Sequence, residues 1–229
     1  MTTYDQSFSG VIFNLDGVLV DTSVYHYAAW RRLANELGFD INQQEHETLR
    51  GLSRMASLEK ILEWGNVYLT EAEKLHMSDV KNNWYKQLLV SVTPDHVLAG
   101  VVPFLTELKG AGFKIGLSSA SKSARMVLNS THLTSFFDVI IDGHSTRKSK
   151  PDPECFLMAS RELGLLPTRC VVFEDSHLGV QAGLFGDFTV IGVGSSDYLT
   201  NAHAVIPNFE NLSIKNMLGI LADTPVISS

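Results

Sequence analysis

From about residue 99 onward the chain switches repeatedly between two hydrophobic periodicities, and this switching narrows its possible folds more than any other feature. Short runs rich in β-branched and aromatic residues read as strands: FKIGLSS (113–119), FDVIID (137–142), CVVFED (170–175) and FTVIGVG (188–194). Between them VPFLTELKGAG, SARMVLNST, DPECFLMASRELG and SHLGVQAGLFG have helical spacing punctuated by Gly or Pro. Such alternation implies an α/β protein, with parallel strands and helices on the faces of the sheet. Val11, Ile12 and Phe13 join the same sheet, because a run without polar alternation suits a strand covered on both faces.

Residues 22 to about 92 contain no strand-like run. Tyr25, Ala28, Ala29, Leu33 and Leu37 share one helical stripe, and Leu58, Ile61 and Leu62 share another. A third helix opens with the capping box Thr70-Glu71-Ala72-Glu73, and Pro94 in SVTPDH ends it. The simplest topology places an all-helical domain, 22–92, inside a core made of 1–21 and 93–229. Its connections near Asp21-Thr22 and Thr93-Pro94 are expected to act as a hinge.

Ligands of open α/β sheets bind beyond the carboxyl ends of the strands, so the polar residues closing each strand are the candidates. They are Asn14 and Asp16; Ser118, Ser119 and Ser121 with Lys122; Lys150; and Glu174 with Asp175. The acids suit an oxygen-seeking Mg²⁺ that keeps several waters. The hydroxyls and lysines suit phosphoryl oxygens, and Lys150 can offset the crowded negative charge. Asp16 is spaced to give a proton to a leaving oxygen or take one from an attacking oxygen.

The bulk properties remove other classes. Apolar residues make up 45% of the 229 and charged ones 19%, which describes a packed globular chain. A formal charge of −7 argues against a nucleic-acid surface. Cys155 and Cys170 lack metal-type spacing and read as buried free thiols in a reducing compartment. The opening MTTYDQSFS has no leader signature, and no apolar run approaches the ~18 residues of a membrane span. A cytoplasmic protein with no membrane partner is expected.

The ordered series VIFNLDGVLVDT, LSSAS, KSKPDP and FEDSHLGVQA resembles the four motifs of the haloacid dehalogenase superfamily. YHYAAW (25–30), LRGLSR (49–54), KNNWY (81–85) and SSASKS (118–123) are similar to the beta-phosphoglucomutase group within it. The resemblance runs along nearly the whole chain and implies a Rossmann-like, doubly wound parallel sheet with an inserted all-helical cap. It implies that the first aspartate of the opening motif, here Asn14, attacks phosphate, and that Asp16 is the general acid and base. Ser119 would hold the transferring phosphate and Lys150 would balance its charge. Asn14, Asp16, Glu174 and Asp175 would form the Mg²⁺ site. Arg54 would anchor a second phosphate, approached by Ser121, Lys122 and Ser123, the last standing where the group favours Asn. His26 and Lys81 would couple cap closure to the acid/base, and Thr22 falls at the hinge.

The departure at Asn14 replaces an anionic nucleophile with an amide, a loss of about 5 to 8 kcal/mol in the barrier by comparison with other covalent nucleophiles. Ground-state binding of phosphate can survive it, since a like-charge clash disappears. With the rest of the site complete, the chain reads as a disabled form of an active enzyme. The first expectation is a mutase moving phosphate between the 1- and 6-positions of a hexose, with beta-glucose 1-phosphate, glucose 6-phosphate and the 1,6-bisphosphate as ligands, acting as a monomer. The alternatives are a phosphatase of small phosphate esters and a non-catalytic sugar-phosphate binder.

Overall fold

The computed structural model describes residues 7–222; most of the N-terminal stretch read above for a leader lies outside the described residues. Six parallel strands form one sheet: β1 (Gly10–Phe13), β2 (Lys114–Ser118), β3 (Val139–Ile141), β4 (Cys170–Glu174), β5 (Thr189–Val193) and β6 (Ala204–Ile206). Their order is β3-β2-β1-β4-β5-β6. Gly10 pairs with Lys114 on one side and Cys170 on the other, so β1 is central. The winding direction reverses there, and the reversal opens a crevice at the carboxyl ends of β1, β2 and β4.

Side chains of β1 alternate between the faces. Val11 and Phe13 pack with Phe104, Leu105 and Leu108 of α5 (Val101–Gly110), Val127 and Leu128 of α6 (Ala124–Ser130) and Met217 of α9 (Ile214–Ala222). Ile12 faces Phe156 and Ala159 of α7 (Glu154–Glu162) and Val180 and Ala182 of α8 (His177–Phe185). Phe13 stacks on Phe173 at 5.1 Å between ring centroids, and Phe104 meets Phe173 edge-on at 5.7 Å. Both cysteines are buried and free.

Between β1 and β2 the chain forms α1 (Ser23–Glu36), α2 (Gln43–Glu47), α3 (Arg54–Gly65) and α4 (Glu71–Leu89). These helices share an apolar cluster of their own, with Trp30, Leu33, Ile41, Leu58 and Ile61 at its centre. α4 starts at the capping box read from Thr70 and Glu73. The buried face of α1 is Ala29, Trp30, Leu33 and Ala34; Ala28 is exposed, so the stripe is rotated from the expected one toward Trp30. A large indole gains more from burial than an alanine methyl, which sets the rotation.

The two connections lie side by side. Val20 and Val97 form an antiparallel bridge, Asp21 N–H donates to His96 O at 3.1 Å, and Leu98 N–H donates to Leu19 O at 3.0 Å. The Tyr25 hydroxyl meets His96 Nε2 at 2.8 Å, tying the start of α1 to the returning linker. Among the described residues no helix is long and apolar enough to cross a membrane.

Candidate active site

Just past β1, Asn14 keeps strand register: its N–H donates to Phe173 O at 3.0 Å. The chain then turns at Gly17, where φ is +76° and a Cβ would run into the Asp175 carboxylate, so only glycine fits. Asn14 Nδ2 donates to both Asp16 O and Asp175 Oδ1, each at 3.0 Å. Lys150 Nζ donates to Asn14 Oδ1 at 3.3 Å and pairs closely with Glu174 Oε1. Glu174 Oε2 accepts from the Ser176 N–H at 2.9 Å and the Ser176 hydroxyl at 3.0 Å. The adjacent acids Glu174 and Asp175 are therefore tolerated through Lys150. Burial and the Glu174 charge still push the Asp175 carboxyl up, opposed by Arg50 and Lys150.

Asp16 faces the helices. Thr22 donates a short hydroxyl hydrogen bond to its Oδ1, and His26 Nε2 stands 4.0 Å from the same oxygen. Burial raises the Asp16 pKa, opposed by the Thr22 hydrogen bond and the Lys150 charge. His26 stacks on Tyr85 at 4.0 Å, and its Nδ1 accepts from Lys81 Nζ at 3.2 Å. Burial, with the Lys81 charge next, holds the imidazole pKa well below its usual value, so the ring is neutral. Lys81 Nζ also lies over the Trp30 ring at 4.2 Å; burial and the Arg54 charge bring its pKa down to about 7.

Asn14, Asp16, His26, Arg54, Lys81, Ser121, Lys122, Lys150 and Asp175 line one cleft between the sheet edge and the helices. Thr22, Ser119, Ser123 and Glu174 are buried just outside that lining. Ser119 Oγ accepts from Ser121 N–H at 3.1 Å, shaping the loop, whereas Ser123 Oγ is buried without a hydrogen bond among the described residues. Arg54 opens α3 behind the cap residue Ser53 and is steadied by Asp79 at 3.2 Å.

The reading from sequence quoted Trp30, Arg50, Asn82 and Tyr85 within their segments without giving them a role and left His46 out; all five line the same cleft. Arg50 Nη1 reaches Asp175 Oδ2 at 3.3 Å while its Nε pairs with Glu47 at 2.6 Å. The available signal was Gly51 beside it: with φ at +81°, and a Cβ that would sit 2.7 Å from Ser176 Oγ, it marks the point where the helical loop touches the core.

Among the described residues no three His, Cys, Asp or Glu side chains surround a common point. Asp16 O and Asp175 Oδ1 nevertheless converge, both 3.0 Å from one nitrogen of Asn14. These two oxygens, completed by water, fit a Mg²⁺; the Asn14 amide turns its nitrogen toward them and its oxygen toward Lys150 Nζ.

A parallel sheet with a phosphate-type cleft at its switch point and a helical insertion over it defines the class. The haloacid dehalogenase-like hydrolase family model matches residues 11–193, and the chain belongs to that family. Within the family it falls in the beta-phosphoglucomutase-like group. It is 35% identical over 207 residues to the beta-phosphoglucomutase of Bacillus subtilis, covering 90% of this chain and 92% of that one. The crystal structure of beta-phosphoglucomutase from Clostridium difficile superposes with a TM-score of 0.90 at 39% identity, covering 94% of this chain and 97% of that chain. A phosphorylated carbohydrates phosphatase of Thermotoga maritima is 31% identical over 175 residues, covering 75% of this chain and 78% of its own.

Proposed function

We propose that the chain is built as a sugar-phosphate mutase of the beta-phosphoglucomutase type, with the nucleophile position held by Asn14. The observation that carries this reading is the two-ended cleft. Asn14, Asp16, Lys150 and Asp175 lie at the sheet edge, and Arg54 lines the same cleft from the helices. A substrate with a phosphate at each end needs two such grips.

When Asn14→Asp restores the carboxylate, its oxygen attacks phosphorus and the P–O bond to the sugar breaks. Asp16 gives its proton to the departing sugar oxygen, a role suited to a partly buried carboxyl with a raised pKa. Lys150 and the Ser119 loop neutralise and position the transferred group. Arg54 holds the distal phosphate, with Lys122 at the cleft edge. In the other half-reaction a sugar monophosphate presents its free hydroxyl to the aspartyl-phosphate. Asp16 takes the hydroxyl proton, the oxygen attacks phosphorus and the bond to the position-14 carboxylate breaks. The resulting bisphosphate turns and passes its other phosphate back to position 14. A bound Mg²⁺, held by Asp16 O, Asp175 and the residue at position 14, would offset charge on the transferring oxygens. The helical domain, 22–92, moves on the paired linkers and excludes water, which would otherwise hydrolyse the aspartyl-phosphate.

The Thermotoga maritima relative supports a second reading, a phosphatase with water as acceptor. Assaying the Asn14→Asp protein for isomer and free phosphate together separates the two. The mutase reading expects Mg²⁺-dependent interconversion of beta-glucose 1-phosphate and glucose 6-phosphate, about 10⁴–10⁶-fold faster than the Asn14 form. Phosphate release outpacing isomerisation selects the phosphatase, and tight binding with no turnover in either form selects a binder.

A further inference from the structure

The wall of the cleft formed by the helices carries polar groups that the proposed phosphate chemistry does not use. His46 sits on the short α2, which a capping box fixes: Glu45 N–H donates to Asn42 Oδ1 at 2.9 Å, and Asn42 N–H donates to Glu45 Oε2 at 2.8 Å. The residue is 6% exposed, yet its ring lines the cleft. Tyr27 packs against the ring at 5.4 Å, and no hydrogen bond to either ring nitrogen is made among the described residues. Asn82, next to Lys81 on α4, lines the same wall with its amide equally uncommitted among the described residues.

The nearby cations, in contrast, have partners. Lys81 is bonded to His26, Arg54 to Asp79, and Arg50 to Glu47 and Asp175. Burial, followed by the Lys81 and Arg50 charges, lowers the His46 pKa to about 4, so its imidazole is neutral at physiological pH. A neutral imidazole offers one donor and one acceptor. Phosphate oxygens near neutral pH chiefly accept, and the cations already serve them. A sugar hydroxyl both donates and accepts, and it matches the ring.

We propose that His46 is a specificity-determining residue: its imidazole hydrogen-bonds a non-phosphorylated ring hydroxyl of the bound sugar phosphate, with the Asn82 amide alongside it. This rests on the sugar-phosphate reading and deepens it, because it assigns hydroxyl recognition to one side chain.

The test is calorimetric titration of the Asn14 protein, with Mg²⁺ at pH 7.5. The ligands are glucose 6-phosphate, its 2-, 3- and 4-deoxy analogues, and inorganic phosphate. The parent is compared with His46→Phe and His46→Asn, each first checked for an unchanged circular dichroism spectrum. His46→Phe is expected to weaken glucose 6-phosphate about tenfold and inorganic phosphate less than twofold. One deoxy analogue should bind parent and His46→Phe alike, since the hydroxyl and its partner are then both gone. His46→Asn, which keeps a donor and an acceptor, should recover most of the loss. Equal weakening of every ligand, inorganic phosphate included, or no weakening at all overturns the assignment. A parent that takes up inorganic phosphate but no sugar phosphate strikes the underlying reading instead, and this inference with it.

Discussion

At the scale of the residue, Lys150 holds the site together. Its ammonium joins Asn14 to Glu174 and is almost wholly removed from water. Burial alone would depress its pKa; the Glu174 and Asp175 charges outweigh that, so the net shift is upward and the charge persists. Lys150→Met leaves Glu174 buried with only Ser176 for a partner, and is expected to destabilise the fold by roughly 3–5 kcal/mol, read from urea unfolding. Adding Glu174→Gln should recover part of that loss, because the stranded charge is removed. Asn14 is less tightly bound to its neighbours' chemistry. Its amide donates to the two oxygens on which a cation would draw, so position 14 is internally satisfied.

At the scale of the element, what could be read ahead depended on whether the deciding contact lay within the segment. β1, β2, β4 and β5 announced themselves because a strand buried on both faces must be apolar throughout. The capping box at Thr70 is equally local: Thr70→Ala is expected to cost about 1 kcal/mol in a denaturant titration, through loss of the bond from Glu73 N–H. Strand-end residues of the site were legible for the same reason, since strand direction sets where they point. β6, Ala204–Ile206, is as short as β3 but lies between His203 and Pro207 without the flanking apolar residues of FDVIID. α2, Gln43–Glu47, is too short to show a period. The wall made by His46, Trp30 and Asn82 depends on how separate helices turn toward one another, and no spacing within one helix records that. Ala28 illustrates the limit, lying on the expected stripe yet outside the cluster that Trp30 enters.

For the whole molecule, the cleft is a burden on stability carried for the sake of binding. Lys81 is 2% exposed, and its pKa falls from 10.5 to about 7. Between those values the unfolded chain holds more protons than the folded one, so stability contributed by this group rises with pH across that window and the full penalty applies below it. Lys81→Met is expected to raise neutral-pH stability by about 1–4 kcal/mol and to flatten the rise between pH 7 and 10, measured as urea midpoints against pH. The same change should weaken sugar-phosphate binding.

The paired linkers carry a separate consequence. Because Asp21 and His96 are hydrogen-bonded neighbours at 3.1 Å, the polypeptide leaves the sheet and comes back at nearly the same spot. The seventy-odd residues looped out there make no demand on strand pairing, so a lineage can swap that excursion for another of different size and keep the chassis intact. Substrate preference can then diversify by exchange of one module, while the machinery at the strand tips is inherited unchanged.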